Sequence, residues 1–179
     1  NSGDALLIEA YTQLAKAPLR VLPEILAEFN RVALQVCQGQ QMDMDFQKRT
    51  SVGMEEYHHM IGLKTAVLLG SSLKLGALVG GAEPAQASAL FRVGYLVGLA
   101  FQVQDDWLDV YGDPERFGKQ VAGDIKACKH SFLRVMAESR AQNNQRATLA
   151  QSFERLALLG QSGEEGPDLD AEVQQVIQC

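Results

Sequence analysis

Apolar residues recur at three- and four-residue spacing over residues 4–15, 19–42, 54–80, 84–112, 124–139 and 143–159, and no stretch alternates in the manner of a strand. That single periodicity restricts the chain to an all-α fold, because a face repeating every 3.6 residues can be buried only as a helix. Proline and glycine divide the segments. Pro18 and Pro23 stand at the start of the second, and Thr50-Ser51-Val52-Gly53 separates it from the third. Gly80-Gly81-Ala82-Glu83-Pro84 is a stop followed by a start, with Pro84 suited to a first helical turn. Gly112-Asp113-Pro114 closes the longest segment. Residues 160–168 form a polar, glycine-rich loop before a last short helical pattern at 169–178.

With 179 residues, 46% of them hydrophobic, the chain has material for one well-cored domain, and we expect residues 1–179 to form it. A net charge of -6 excludes a broad electrostatic grip on nucleic acid, so an anionic ligand needs a local cluster of cations or a metal. Cys37, Cys128 and Cys179 are odd in number and widely spaced, which fits neither a disulfide framework nor a zinc site and points to a reducing cytoplasm. No run of about 18 apolar residues appears, so no membrane span is expected. The chain opens without Met and enters a helical pattern almost at once, as the interior of a longer protein would.

The segment 84–112 would make a helix about 43 Å long at 1.5 Å per residue. Leu90, Val93, Leu96, Val97, Ala100, Phe101 and Leu108 spread around it, so a central, surrounded helix is expected. Gly94 and Gly98, one turn apart, read as a site of close helix packing. Near its end stands FQVQDDWLD, residues 101–109. Asp105, Asp106 and Asp109 are three and four residues apart and project within one turn, where like charges destabilise a helix unless a cation offsets them. Oxygen-only donors suit a hard divalent cation that bridges carboxylates to phosphate oxygens. A solvated polar helix end is the competing reading of these aspartates taken alone.

Other polar residues sit within apolar surroundings. FGKQVAGDIKACKHSFL, residues 117–133, places Lys119 and Lys129 around Gly118, Gly123 and Asp124, where ammonium groups could meet phosphate oxygens. Lys64 and Thr65 interrupt an apolar helix, and Lys74 reads as a snorkelling surface residue. Gln40 and Asp43 lie on another helix, where spacing alone fits an ordinary polar face equally well. His58 and His59 read as surface or interface residues.

GQQMD at 39–43, KTA at 64–66, FQVQDDWLD at 101–109, GK at 118–119 and GDIKACKHSFL at 123–133 stand together in an order that resembles the trans-isoprenyl diphosphate synthases, the polyprenyl synthetase family. The opening SGDALLIEAY resembles the segment that follows the first aspartate-rich motif of that family. The resemblance implies an isoprenoid synthase-type helical bundle around a central cavity, of which this chain is the C-terminal two-thirds. It also implies Mg2+-dependent, head-to-tail condensation of isopentenyl diphosphate with an allylic diphosphate (dimethylallyl, geranyl or farnesyl diphosphate), giving a product such as farnesyl or geranylgeranyl diphosphate. By motif, Asp105, Asp106 and Asp109 correspond to metal ligands, with Asp105 foremost. Lys64, Lys119 and Lys129 correspond to contacts of the allylic diphosphate, Thr65 and Gln102 to neighbours of the reacting centre, and Gln40 and Asp43 to a supporting polar pair. A cytoplasmic homodimer is implied by resemblance alone.

Two departures qualify the resemblance. The family's first aspartate-rich motif and its isopentenyl diphosphate-binding basic residues precede the GDALL segment and have no counterpart in these residues, so the 179 residues alone are not expected to catalyse elongation. His130 stands where the family often has a second lysine. A non-catalytic homologous subunit that binds diphosphate or regulates a partner is the alternative. A terpene cyclase is disfavoured by the GK and GDI pattern after the aspartates.

Overall fold

The computed structural model describes residues 2–117, 122–162 and 167–178, and among them there is no strand. The helices are α1 (Ser2–Leu14), α2 (Leu22–Phe46), α3 (Met54–Ile61), a π-helical segment (Gly62–Ala66), α4 (Val67–Val79), α5 (Pro84–Tyr111), α6 (Pro114–Phe117), α7 (Gly123–Lys126), α8 (Phe132–Arg140), α9 (Asn143–Ser162) and α10 (Pro167–Gln178). The all-α expectation holds. Contacts group the chain into two compact units, residues 1–40 with 61–100 and residues 41–60 with 101–179.

In the first unit, α2 begins at Leu22 rather than near residue 19. Residues 18–22 are spent on a turn in which Val21 N and Leu22 N both donate to the Pro18 carbonyl, and Pro23 then falls in the first helical turn, where its lack of an N–H costs nothing. Ile25, Val32, Ile61, Ala66, Val67, Leu78 and Ala87 form the buried apolar set of this unit among the described residues. Tyr11 of α1 meets Phe29 edge-on at 5.1 Å, and its hydroxyl bonds Asn30.

Within these residues, Leu90, Val93, Leu96, Val97 and Phe101 of α5 are 41–64% exposed. The face that packs within this unit is the small-residue one: a Cβ on Gly94 would lie 2.7 Å from the Leu69 carbonyl oxygen and one on Gly98 would lie 2.5 Å from Ala66 Cα. Backbones approach this closely only where side chains are lacking, so the glycines and not the bulky stripe set the contact. Close packing is therefore the role of Gly94 and Gly98.

Contrary to the expectation of no candidate span, Met54–Val79 is long and apolar enough, by length and composition alone, to cross a membrane, with a mean hydropathy of 1.3. A core helix passes the same test, and Ala66 and Gly70 of this segment carry the close contacts with α5.

In the second unit, Val110, Ala122, Ile125, Leu149, Phe153, Leu156 and Val173 form one buried cluster, with α10 packed on α9 and α7. The helix expected over 124–139 is broken in two. α7 ends at Lys126, Cys128 takes a left-handed conformation (φ 52°), and α8 starts at Phe132. The physical cause lies outside the segment: the Asp106 carboxylate accepts the Phe132 N–H at 2.6 Å, which satisfies a first-turn donor and fixes a new helix start there.

Candidate active site

The last turns of α5 order the second unit's polar cluster. Asp106 is 4% exposed and accepts three hydrogen bonds: from Gln102 Nε2 at 2.9 Å on Oδ1, and from the Tyr57 hydroxyl at 2.8 Å and Phe132 N on Oδ2. Burial raises its pKa above the ordinary carboxylate value. The three hydrogen bonds oppose that, and the nearby Asp124 charge adds to it. Asp109, one turn on, accepts N–H groups of Asp124 and Gly123, so it holds the start of α7. Its pKa is likewise raised, by burial first and by Asp124. Asp105 is half-buried beside them.

Lys129 is the described cation in this cluster. Its Nζ bonds Asp124 Oδ1 at 2.8 Å, and that bond, with the charges of Asp124, Asp43 and Asp109, raises its pKa. Tyr57, fully buried, has its pKa pushed up by burial and by Asp106, Asp124 and Asp105. Among the described residues, the second unit thus places Asp43, Asp109 and Asp124 within electrostatic reach of Lys129, with Asp105 and Asp106 on the same turn of α5 as Asp109. Carboxylates held this close together repel one another, and a bound cation relieves that repulsion.

Among the described residues no three His, Cys, Asp or Glu side chains form a ready-made metal cage. The donor set fits Mg2+ nonetheless. All the donors are oxygens, and this ion commonly binds through one or two carboxylates, completing its shell with water and phosphate oxygens.

In the first unit, Lys64 and Thr65 lie on the π-helical segment, both half-buried. The sequence predicts a plain helix here. The inserted residue of a π turn displaces side chains from the α-helical register, and such turns recur at functional sites. Gly39 of α2 abuts the backbone of Lys64, Gly98 of α5 abuts Ala66, and the Tyr95 hydroxyl occupies the place where a side chain on Gly62 would stand. Gln40 is exposed on α2. Lys74 does not snorkel: it reaches Glu28 of α2 at 2.9 Å, a carboxylate also held by Arg31.

The structure therefore brings together Gln102, Asp105, Asp106, Asp109, Asp43 and Lys129 in one unit and fixes Lys64 and Thr65 in the other; Lys119 lies outside the described residues. Sequence reasoning missed Tyr57, the bonding role of Asp124, the Phe132 N–H, and Gly39. Gly39, Asp124 and Phe132 left a signal, since all three lie inside the motifs of the sequence, whereas Tyr57 does not. His58 and His59 are exposed, as expected.

A family model described as polyprenyl synthetase matches residues 1–158. The short chain isoprenyl diphosphate synthase of Methanothermobacter thermautotrophicus is 38% identical over 165 residues, covering 92% of this chain and 49% of the relative. The geranylfarnesyl diphosphate synthase of Natronomonas pharaonis is 33% identical over 141 residues, covering 78% and 41%. A crystal structure of geranylgeranyl pyrophosphate synthase superposes with a TM-score of 0.85 at 37% identity, over 97% of this chain and 51% of that one. The geranylgeranyl pyrophosphate synthetase of Pyrococcus horikoshii gives 0.81 at 30%, over 98% and 51%. The chain spans about half the length of the curated relatives it matches.

Proposed function

Because the chain belongs to the polyprenyl synthetase family, we propose that it is part of an isoprenyl diphosphate synthase, which condenses isopentenyl diphosphate head-to-tail with an allylic diphosphate. The observation that carries this reading is the carboxylate cluster of Asp105, Asp106 and Asp109 at the end of α5, with Asp124 and Lys129 beside it, an oxygen donor set that suits divalent cations. The names of the relatives run from farnesyl through geranylgeranyl to geranylfarnesyl diphosphate synthase, so a short-chain trans-prenyl diphosphate is the product class.

Bound Mg2+ supplies positive charge to the departing diphosphate. Asp105 would hold it first, while Asp106 and Asp109 add negative charge with oxygens committed to neighbouring N–H and O–H groups. Lys64, Lys119 and Lys129 would bind diphosphate oxygens that the metal leaves unpaired, and preorganised cations of this kind stabilise charge as it develops on a leaving group. Lys129 would exchange its bond to Asp124 for one to phosphate. Thr65 and Gln102 would present oxygen dipoles to the allylic cation, with Gln40 and Asp43 in support. The isopentenyl double bond attacks that cation, and loss of a proton restores the alkene. Function as a homodimer in the cytoplasm belongs to the same reading.

The test uses the full-length protein, with isopentenyl diphosphate and each of dimethylallyl, geranyl and farnesyl diphosphate, with Mg2+ or excess EDTA. Metal-dependent formation of a longer prenyl diphosphate, identified by mass, supports the reading. A folded protein that elongates none of the three overturns it.

A further inference from the structure

Tyr57 is 0% exposed, and its ring packs on Phe132 with centroids 6.1 Å apart. Its hydroxyl and the Phe132 N–H converge on the same oxygen of Asp106, while Gln102 takes the other. A carboxylate offers about four acceptor positions and no donor, so three of the four are used inside the protein. One consequence concerns Gln102. Because an ionised carboxylate can only accept, the Gln102 amide must turn its NH2 toward Asp106, and its carbonyl oxygen is turned away. The amide orientation of a residue in the proposed reaction centre is thus dictated by Asp106. Tyr57 and Phe132 in turn hold Asp106.

We infer that Tyr57 is a positioning residue: its hydroxyl fixes the Asp106 carboxylate as a junction that joins α5 to the start of α8 and orients the Gln102 amide. This rests on the proposed prenyl-transfer reading. Asp106 is a structural clasp with an acceptor role. Residue 57 lies in none of the family motifs of the sequence, and it acts through Asp106.

The experiment compares full-length parent, Tyr57→Phe, Asp106→Asn and the double variant. Tyr57→Phe removes one oxygen and leaves the ring packing. Its kcat is expected to fall about tenfold to a hundredfold, with KM for the allylic diphosphate within twofold of the parent, because orientation is lost and diphosphate contacts are kept. In the Asp106→Asn background the same change is expected to cost less than twofold, since the junction is already gone. Equal costs in the two backgrounds, or a parent-like kcat, overturn the inference.

A readout independent of turnover separates this from failure of the functional reading. Amide exchange at Phe132, followed by NMR, is expected to quicken at least tenfold in Tyr57→Phe and in Asp106→Asn. In the parent, the Tyr57 hydroxyl proton is expected as a resolved, slowly exchanging resonance that Asp106→Asn abolishes. If the parent elongates nothing but shows both signals, the clasp stands and the reaction does not. Unchanged Phe132 exchange overturns the clasp whatever the activity, and the hydroxyl measurement decides the matter should Tyr57→Phe not fold.

Discussion

Gly39 of α2 lies so close to Lys64 that a Cβ at residue 39 would fall 2.7 Å from the Lys64 Cα. The lysine proposed to meet the diphosphate therefore owes its place to a residue with no side chain. Gly39→Ala must push the π-helical segment or α2 aside. We expect a loss of about 1–3 kcal/mol, as for overpacked cores, read from the urea midpoint, together with a raised KM for the allylic diphosphate. A parent-like midpoint and KM would show that the contact relaxes without moving Lys64.

Gly98→Ala tests the other wall of the same segment, since its Cβ would meet Ala66 Cα at 2.5 Å. A similar loss of about 1–3 kcal/mol is expected, and it should not add fully to that of Gly39→Ala, because both act on five consecutive residues. Fully additive losses would mean that the two glycines act on separate elements.

Asp105→Ala in the full-length protein is expected to lower Mg2+-dependent turnover by about 10²–10³-fold while the helical circular dichroism and the melting temperature stay close to those of the parent. At the same turn, Asp106 and Asp109 hold the starts of α8 and α7 through backbone N–H groups. Near-normal turnover removes the central metal-binding assignment.

Lys74→Met keeps the apolar stem and removes the ammonium group from Glu28. Burial favours the neutral acid at Glu28, but the hydrogen bonds and charges of Arg31 and Lys74 together outweigh it and hold the carboxyl below its ordinary value. The pair therefore contributes stability above the unfolded pKa of about 4.5 and loses it as pH falls through the lower folded value. We expect the variant to be about 1–2 kcal/mol less stable at pH 7, with the difference shrinking below pH 4. A difference constant with pH would place the effect in packing.

His130 is 3% exposed, its Nε2–H donates to the Arg49 carbonyl at 3.1 Å, and among the described residues its Nδ1 has no hydrogen-bond partner, the Glu138 carboxylate standing 4.0 Å away. Burial, with help from Arg134, lowers its pKa below 6.5. The unfolded chain then takes up the proton first, so this contribution is present above pH 6.5 and is lost as pH falls toward the folded value. The parent should weaken between pH 7 and pH 5 in urea titrations, and His130→Gln should flatten that slope. Equal slopes would mean that His130 is not the group responsible.

Much of the helix plan was readable because it is local. Pro84 begins α5, the Gly112-Asp113-Pro114 turn ends it, and no strand pattern competes. The aspartate motif was readable for the same reason, since residues three and four apart share a helix face whatever the helix packs against. Lys74 was misread because its partner, Glu28, is 46 residues away. The break in the segment 124–139 was hidden likewise, since Asp106 is 26 residues from Phe132.

The sequence by itself determined the all-α class, the helix punctuation by proline and glycine, and the family motifs, all of which follow from interactions within a few residues. Only the tertiary structure decided that Asp106 is enclosed by Tyr57, Gln102 and Phe132, that α5 packs on α4 and the π-helical segment by its glycines, and that Lys64 rides on that segment. Those outcomes turn on burial and on hydrogen bonds between distant residues. A carboxylate's neighbours, unlike its spacing, exist only once the chain has folded.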